Sequence, residues 1–227
     1  MKRQGIFIVI EGTDGSGKGT QFKLLVRALK QAGKRVAIVD VPQYGKPSAR
    51  LVERYLTGKL GRNPEAVSPY DASLFYAVDR FALAPKVRQW LSQGKLIVAN
   101  RYTLSNAGHQ GGKIARQSER RTFWQWLFHT EYEVLDIPKP DLTIILHMPA
   151  AQAQRLVGKK KSRTYLRGVK RDIHEGNLVH LKAAERAYLE LAQMYRFPVV
   201  ECVERGRLLT PQEVHAKVWQ IVRSFYR

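Results

Sequence analysis

The segment 6–20 constrains the fold of this chain most, because an apolar run leads directly into a glycine-rich loop. Residues 6–10 read Ile-Phe-Ile-Val-Ile, and after Glu11 the sequence continues Gly-Thr-Asp-Gly-Ser-Gly-Lys-Gly-Thr over 12–20. The run predicts a buried strand, and Lys18 predicts the start of a helix whose N-terminus favours anions. Backbone N–H groups of such a loop can surround oligophosphate oxygens. The segment therefore predicts a site for a nucleoside triphosphate.

Two glycines and the lysine support this prediction. A Cβ at Gly12 or Gly17 would either forbid the dihedral angles of the turn or hold the backbone away from the phosphates. Lys18 places a positive charge where β- and γ-phosphates would lie. A glycine-rich turn that only closes a strand–helix pair is the alternative, but strand, spacing, lysine and helix occur together. The predicted ATP-binding residues are Gly12, Thr13, Asp14, Gly15, Ser16, Gly17, Lys18, Gly19 and Thr20.

Composition limits the architecture. The 227 residues are 44% hydrophobic, and no Ser/Pro/Gly tract or internal repeat divides them, so we expect a single domain over 1–227. No run approaches the roughly 20 apolar residues needed to cross a bilayer. Residues 1–4 lead directly into a strand, so we expect no signal peptide. The single cysteine, Cys202, excludes an intrachain disulfide, suits a reducing cytoplasm and is expected to be a small buried hydrophobe.

The chain is strongly basic. Lys and Arg total 39 against 19 Asp and Glu, which gives a formal net charge of +20. Such a charge favours anionic partners, either nucleic acid or phosphate-bearing substrates, and does not choose between them. From Arg155 to Arg171 there are basic residues and no carboxylate. A solvated surface segment is the simplest interpretation of that run.

Five short apolar runs alternate with helix-length segments, which predicts an α/β fold with a five-stranded parallel sheet and helices on both faces. The predicted strands cover 5–11, 35–41, 96–100, 142–148 and 198–202. Amphipathic stretches over 20–32 and about 71–93 predict two of the helices. Ligands of such sheets bind at the carboxyl ends of the strands, so the residues directly after each strand are the candidates for chemistry.

Several of these segments resemble one family. Residues 100–111 read Asn-Arg-Tyr-Thr-Leu-Ser-Asn-Ala-Gly-His-Gln-Gly, and residues 73–80 read Ser-Leu-Phe-Tyr-Ala-Val-Asp-Arg. Val-Pro-Gln-Tyr stands at 41–44, Pro-Asp-Leu-Thr at 140–143 and Asp-Ile-His-Glu at 172–175. Together they resemble the thymidylate kinase family of nucleoside monophosphate kinases over nearly the whole chain. The resemblance implies a P-loop NTPase fold with a basic lid over about 155–176, and phosphoryl transfer from ATP to dTMP.

The resemblance also implies an acceptor site. Arg80 and Arg101 would clamp the acceptor phosphate, since guanidinium groups bind phosphates with bidentate bonds. Phe75 would stack on the pyrimidine, Gln110 would face the thymine edge, and Ser105 would support the base or sugar. As isolated residues, the arginines would more often form surface ion pairs, and Phe75 would more often be core. The predicted substrate-binding residues are Asp14, Pro42, Phe75, Arg80, Arg101, Ser105 and Gln110.

Asp14 matches the family carboxylate that meets the acceptor sugar, although a turn-stabilising Asx side chain is the alternative. Because Gly15 follows it where some family members carry arginine, the lid is expected to supply the catalytic positive charge. The predicted catalytic residues are Lys18, Asp14 and Arg101, with Arg163, Arg167 and Arg171 as lid candidates.

Three residues depart from the family near the expected Mg²⁺. Gly19 stands where the usual hydroxyl ligand would be, and Asn100 and His147 stand where the family has aspartate. Mg²⁺ would then rely on ATP phosphates, water and a protein ligand among Thr20, Asp14 and Glu175, of which Thr20 and Glu175 are the predicted metal ligands. A fourth departure, His109 in place of a tyrosine, could alter discrimination between deoxyribose and ribose.

The leading hypothesis is an ATP:dTMP phosphotransferase that forms a homodimer, works in the cytoplasm with Mg²⁺, and binds neither a membrane nor a specific nucleic acid. One alternative is a kinase of the same fold acting on another deoxynucleoside monophosphate or on a nucleoside. An alternative of another class is a nucleic-acid-binding P-loop ATPase or an inactive nucleotide-binding protein that uses its +20 charge.

Overall fold

The computed structural model of the protein describes residues 5–61, 63–158 and 177–226. Its core is a five-stranded sheet in the order β2-β3-β1-β4-β5, and every neighbouring pair is parallel. The strands are β1 (Ile6–Gly12), β2 (Val36–Asp40), β3 (Leu96–Asn100), β4 (Leu142–His147) and β5 (Val199–Glu201). All five predicted strands are confirmed, with boundaries that differ by one residue or none.

Eight α-helices connect and cover the strands within the described ranges. They are α1 (Lys18–Gln31), α2 (Arg50–Leu56), α3 (Pro69–Ser92), α4 (Thr103–Gly111), α5 (Gln117–Phe128), α6 (Ala150–Gly158), α7 (Leu178–Tyr195) and α8 (Pro211–Phe225). Two 3₁₀ turns cover Pro47–Ala49 and Pro64–Ala66, and a π-helical turn covers His129–Val134. A short antiparallel hairpin of β6 (Val203–Glu204) and β7 (Arg207–Leu208) was not predicted from the sequence.

Both faces of the sheet are buried, because successive side chains of a strand point to opposite faces. On β1, Ile8 and Ile10 pack in one cluster with apolar residues of α1 and α8. Phe7 and Val9 pack on the other face with Val87 and other residues of α3. Continuous apolar strands are therefore required here, which explains why the run at 6–10 identified the central strand.

Three further expectations concern Cys202, membrane-spanning helices and the lid. Cys202 is buried directly after β5, and burial raises the pKa of its thiol to about 11, so the predicted role as a small hydrophobe is confirmed. None of the helices that the structure describes is long and apolar enough to cross a membrane. The predicted lid begins within α6, and most of it, together with Arg163, Arg167, Arg171 and Glu175, lies outside the described residues.

Candidate active site

The glycine-rich loop has the predicted strand–loop–helix geometry. β1 ends at Gly12, whose φ is 137°, and a Cβ there would lie 2.4 Å from the carbonyl oxygen of Leu146. Gly17 caps α1 with a φ of 88°, a left-handed conformation that favours glycine. Lys18 is buried, and its Nζ donates a 2.6 Å hydrogen bond to the carbonyl oxygen of Thr13. The lysine charge is thus held against the loop, at the N-terminus of the helix.

Three adjoining cavities lie around this loop. The loop cavity is bounded by Gly15, Ser16, Gly17, Gly19, Thr20, Gln21, Lys23, Leu24, Met148, Leu156, Cys202, Leu208, Leu209, Pro211 and Val214. The middle cavity is bounded by Asp14, Gly15, Gly17, Lys18, Gly19, Asp40, Val41, Pro42, Tyr44, Asn100 and Arg101. The inner cavity is bounded by Asp14, Val41, Pro42, Tyr44, Leu56, Tyr76, Asp79, Arg80, Arg101, Tyr102, Ser105, Asn106, His109 and Gln110.

Shared walls connect these cavities. The middle cavity shares loop residues such as Gly15 and Gly19 with the loop cavity, and it shares Asp14 and Arg101 with the inner cavity. The loop cavity joins loop backbone to an apolar wall that includes Leu209 and Val214, which suits an oligophosphate attached to a flat apolar group. The arrangement can therefore hold two phosphate-bearing molecules with their phosphates meeting near Lys18 and Arg101.

Arg101 links the loop to the inner cavity. It follows β3 with a φ of 69°, and its backbone N–H donates a 3.1 Å hydrogen bond to the carbonyl oxygen of Ile10. Its guanidinium forms an ion pair with Asp14 through Nη2 and donates from Nη1 to Ser105 Oγ at 3.3 Å. The structure thus brings together Asp14, Arg101 and Ser105, all three of which were predicted as site residues.

Glu11 positions the residues around Arg101. Its carboxylate is fully buried and accepts hydrogen bonds from the backbone N–H of Tyr102 at 2.6 Å and of Ser105 at 3.0 Å. It also accepts from Ser105 Oγ at 2.6 Å and from the hydroxyl of Tyr188 at 3.1 Å. Burial raises the pKa of Glu11 above its usual value, against the lowering effect of these bonds and of Arg101. Ser105 is therefore committed to positioning Arg101 as well as lining the cavity.

Arg80 lies in the wall of the inner cavity, but a carboxylate that the sequence did not reveal holds it. Its Nε and Nη2 donate to Glu131 at 2.7 and 2.5 Å, and both residues are buried. Thr103 Oγ1 donates to the same carboxylate at 2.8 Å. A buried guanidinium needs such a partner. The bidentate pair fixes the orientation of Arg80 and leaves Nη1 outside the Glu131 bonds.

The aromatic wall of the inner cavity differs from the prediction. Tyr76 lines the cavity, whereas Phe75 does not; its ring lies 6.2 Å from that of Tyr55, in the apolar cluster around Val52 and Ala72. Adjacent residues on a helix point about 100° apart, so Phe75 and Tyr76 meet different surroundings. Tyr76, rather than the predicted Phe75, is therefore the aromatic side chain of α3 in the wall of this cavity.

Gln110 and His109 complete the wall on α4. Gln110 is fully buried, and both its Oε1 and its Nε2 lack a hydrogen-bond partner within the described part of the chain. His109 Nδ1 lies 3.4 Å from Nε2 of His180, and its Nε2 lies 4.0 Å from Asp14 Oδ2. Burial lowers the pKa of His109 well below its usual value, so the ring is neutral at pH 7. Buried amide atoms without partners are costly, which indicates that a ligand supplies the partners of Gln110.

Pro42, another predicted substrate residue, lies in the walls of both the middle and the inner cavity, after a cis Val41–Pro42 bond. Asp79 holds the segment after Pro42 in place. It accepts from the backbone N–H of Gln43 at 2.8 Å and from Ser48 Oγ at 2.7 Å. The loop after β2 is thereby fixed to α3, against the inner cavity.

Comparison with known proteins shows to which family the chain belongs. The sequence profile described as Thymidylate kinase matches residues 10–204, which is most of the chain. The chain belongs to the thymidylate kinase family. The resemblance inferred from the sequence motifs is therefore confirmed.

The similarity extends to curated members and to a solved structure. A thymidylate kinase of Mycobacterium tuberculosis is 31% identical over 219 residues, which cover 92% of this chain and 99% of that protein. A probable thymidylate kinase of Thermococcus gammatolerans is 29% identical over 229 residues, 97% of each chain. Human thymidylate kinase is 30% identical over 153 residues, 67% of this chain and 66% of the human protein. The structure of a thymidylate kinase from Candida albicans covers 99% of this chain and 93% of its own, with a TM-score of 0.71 and 21% identity, which shows a common fold.

Two residues that depart from the thymidylate kinase pattern, His147 and Asn100, form defined side-chain hydrogen bonds in the structure. His147 at the end of β4 is held between two carboxylates, Glu185 at 2.9 Å and Glu201 at 2.6 Å, and lines none of the three cavities. Its role is to join β4 to β5 and α7. Asn100 donates from Nδ2 to Asp40 Oδ1 at 2.9 Å, at the end of the adjacent strand.

The residues around the loop fit a lightly ligated Mg²⁺. Thr20 is exposed and lines the loop cavity, while Asp40 is an exposed carboxylate in the middle cavity. Within the described ranges, no cluster of three or more His, Cys, Asp or Glu side chains could hold a metal ion. Mg²⁺ prefers oxygen ligands, keeps several waters and binds through few protein groups together with phosphates. This donor set is consistent with that mode of binding.

Four residues that shape the site were not predicted: Glu11, Tyr76, Asp79 and Glu131. Glu11 did carry a signal, since a carboxylate directly after a buried apolar run is unusual. Asp79 precedes Arg80 within a segment already identified, and Tyr76 is adjacent to Phe75. Glu131 carried none, because it lies 51 residues from Arg80 on a π-helical turn without a motif.

The His147 contacts predict a pH-dependent stability. Burial by itself lowers the pKa of His147, but its bonds to Glu185 and Glu201 outweigh this and raise it above 6.5. A raised folded-state pKa gives stability that is complete below about pH 6.5 and lost as pH rises through the folded value. We expect His147→Gln to lower the free energy of unfolding by about 1–3 kcal/mol at pH 6 and by less at pH 9.

Urea unfolding at the two pH values measures this difference. The matched control is His129→Gln, because His129 is an exposed histidine on the π-helical turn and should leave stability nearly unchanged at both pH values. An equal loss of stability for His147→Gln at pH 6 and pH 9 would contradict the charged, doubly bonded state of this side chain.

Proposed function

We propose that this protein transfers the γ-phosphoryl group of ATP to dTMP, giving ADP and dTDP. Membership of the thymidylate kinase family supports this reaction. The observation that carries the acceptor assignment is the inner cavity, which brings the fixed guanidinium of Arg80, that of Arg101 and the buried amide of Gln110 into one space beside the loop.

Gln110 suits the base of the acceptor. Thymine presents an N3–H group between two carbonyl oxygens, so the amide can accept from N3–H through Oε1 and donate to a carbonyl through Nε2. Both amide atoms are buried and find no partner among the described residues. Tyr76 offers an aromatic face in the same cavity, and base–aromatic stacking is worth on the order of 1–3 kcal/mol.

The reaction itself needs positioning and charge more than covalent help. An oxygen of the acceptor phosphate attacks the γ-phosphorus, and the bond from that phosphorus to the β–γ bridging oxygen breaks. Lys18 and Arg101 line the middle cavity, where the two phosphates would meet, and Asp14 holds the orientation of Arg101. Preorganised cations at this point stabilise the charge on the transferring group.

Mg²⁺ is part of the proposal. When bound, it neutralises charge on the ATP phosphates. Thr20 and Glu175 are the ligands inferred from the sequence, and Thr20 faces the loop cavity. A lid arginine among Arg163, Arg167 and Arg171 would add positive charge to the same phosphates on closure.

A homodimer in the cytoplasm completes the proposal. Helix α3 leaves Leu74, Val78 and Phe81 between 41% and 51% exposed, at spacings of four and three residues that place them on one face. An apolar stripe of this kind on a surface helix favours burial against another protein surface.

An acceptor panel tests the reaction. We expect ADP release with ATP and Mg²⁺ to be fastest with dTMP and weaker with dUMP. With dCMP, dAMP and dGMP it should be much slower. Thymidine should be phosphorylated far more slowly than dTMP, because Arg80 and Arg101 would have no phosphate to bind. A coupled assay measures all of these rates.

The outcomes of the panel separate the alternatives. If another monophosphate reacts faster than dTMP, that nucleotide is the acceptor. If thymidine reacts as fast as dTMP, Arg80 and Arg101 do not bind the acceptor phosphate. No turnover with any acceptor, together with ATP hydrolysis stimulated by long DNA or RNA, would favour a nucleic-acid-binding ATPase.

Two neighbouring aromatic residues provide a sharper test of the acceptor pocket. We expect Tyr76→Ala to raise the Kd for dTMP about tenfold or more, as loss of a stacking contact implies. Phe75→Ala, the matched control, should leave the Kd within about threefold while lowering the Tm, since Phe75 packs against Tyr55. Titration calorimetry with dTMP measures both constants, and the reverse pattern would return the stacking role to Phe75.

A further inference from the structure

The middle cavity contains an exposed carboxylate, Asp40, beside the phosphate-binding loop. The cavity wall contains two carboxylates, Asp14 and Asp40. Asp14 is buried and forms the ion pair with Arg101. Asp40, in contrast, is exposed at the end of β2 and lines the same space as Lys18 and Gly19 of the loop. An exposed carboxylate beside a phosphate-binding loop is placed to meet a cation that accompanies the phosphates.

The sheet fixes the position of this carboxylate. β2 and β3 are parallel, and Asp40 is the register partner of Asn100. Asn100 Nδ2 donates to Asp40 Oδ1 at 2.9 Å, so the amide orients the carboxylate from the adjacent strand. A carboxylate offers about four acceptor sites, so one carboxylate can accept a hydrogen bond and hold a hydrated cation at the same time. The pair thus presents an oriented anionic group at the carboxyl end of the sheet, where ligands of such folds bind.

Two neighbouring positions, Asn100 and Gly19, offer no anionic oxygen. Asn100 is uncharged, and Gly19 has no side chain although a Cβ there would meet nothing within 4 Å. A hydroxyl would fit at Gly19, and its absence removes one oxygen ligand from the loop. Mg²⁺ bound to nucleotide phosphates usually keeps several waters and takes one or two carboxylates. Asp40 is therefore the carboxylate in this cavity whose exposure suits that role.

We infer that Asp40 holds the hydrated Mg²⁺ of the donor nucleotide in the middle cavity, and that Asn100 is its positioning residue. The inference rests on the proposed function only in taking a nucleoside triphosphate as donor; it does not depend on the acceptor. It places an anionic metal-holding group at the end of β2, with a neutral hydrogen-bond donor at the end of β3.

The test measures metal binding directly. The full-length protein is mixed with a non-hydrolysable ATP analogue and titrated with Mn²⁺, and free Mn²⁺ is counted by electron paramagnetic resonance. We expect Asp40→Asn to raise the Mn²⁺ Kd of the nucleotide complex by about 10- to 100-fold. The affinity for the analogue in EDTA should stay unchanged, a readout that separates loss of a metal-holding group from general damage to the loop.

Two further variants make the test decisive. The double variant Asp40→Asn with Asn100→Asp reverses the pair and keeps one carboxylate and one amide, so it should recover most of the affinity. Glu133→Gln removes one negative charge at an exposed residue of the π-helical turn and should stay within about twofold of wild type.

Wild-type Mn²⁺ affinity in Asp40→Asn would overturn the inference. An equal loss in Glu133→Gln would also overturn it, because the effect would then be one of net charge. Failure of the reversed pair to recover affinity would overturn the role given to Asn100. These results do not involve dTMP, so they are distinguishable from failure of the acceptor proposal.

Discussion

The buried carboxylate of Glu11 is the group on which the rest of the site depends. It lies at the end of the central strand, immediately before the glycine-rich loop, and accepts four hydrogen bonds from Tyr102, Ser105 and Tyr188. These bonds tie the start of α4 and the middle of α7 to β1. Because α4 also carries His109 and Gln110, these bonds connect the wall of the inner cavity to the strand that leads into the phosphate loop.

Arg80 and Arg101 are oriented by different carboxylates for a related purpose. Asp14 holds Arg101 within the loop, and Glu131 holds Arg80 from a distant π-helical turn. A guanidinium buried without a partner would be strongly destabilising, whereas a bidentate pair keeps it charged and fixed. Preorganised guanidinium groups do not have to be ordered when a phosphate arrives, which favours both binding and transfer.

Patterns among neighbouring residues in the sequence predicted the strands and the glycine-rich loop. The strand positions follow from continuous apolar runs, and the loop follows from glycines whose conformations a Cβ would forbid, as at Gly12. Family motifs identified Arg101, Ser105 and Gln110, which the structure places in the inner cavity. The choice between Phe75 and Tyr76 could not be made in this way, because it depends on the rotation of α3 about its axis.

Side-chain contacts between residues far apart in the sequence could not be predicted, for a similar reason. Glu131 meets Arg80 across 51 residues, and Asp40 meets Asn100 across 60, with no periodicity that connects either pair. The neutral Asn100 signalled a change at the metal side of the site, but only the register of β2 against β3 shows which residue stands beside it. Tertiary contacts between distant segments therefore supplied the information that motifs lacked.

The central claim is that the loop cavity and the inner cavity meet in the middle cavity, so that one molecule can occupy all three. The most direct measurement is titration calorimetry of the full-length protein with adenosine and thymidine joined through five phosphates. We expect one site per chain, an affinity well above that for ATP or dTMP alone, and displacement by either nucleotide. Binding no tighter than that of ATP, or binding that dTMP does not displace, would contradict it.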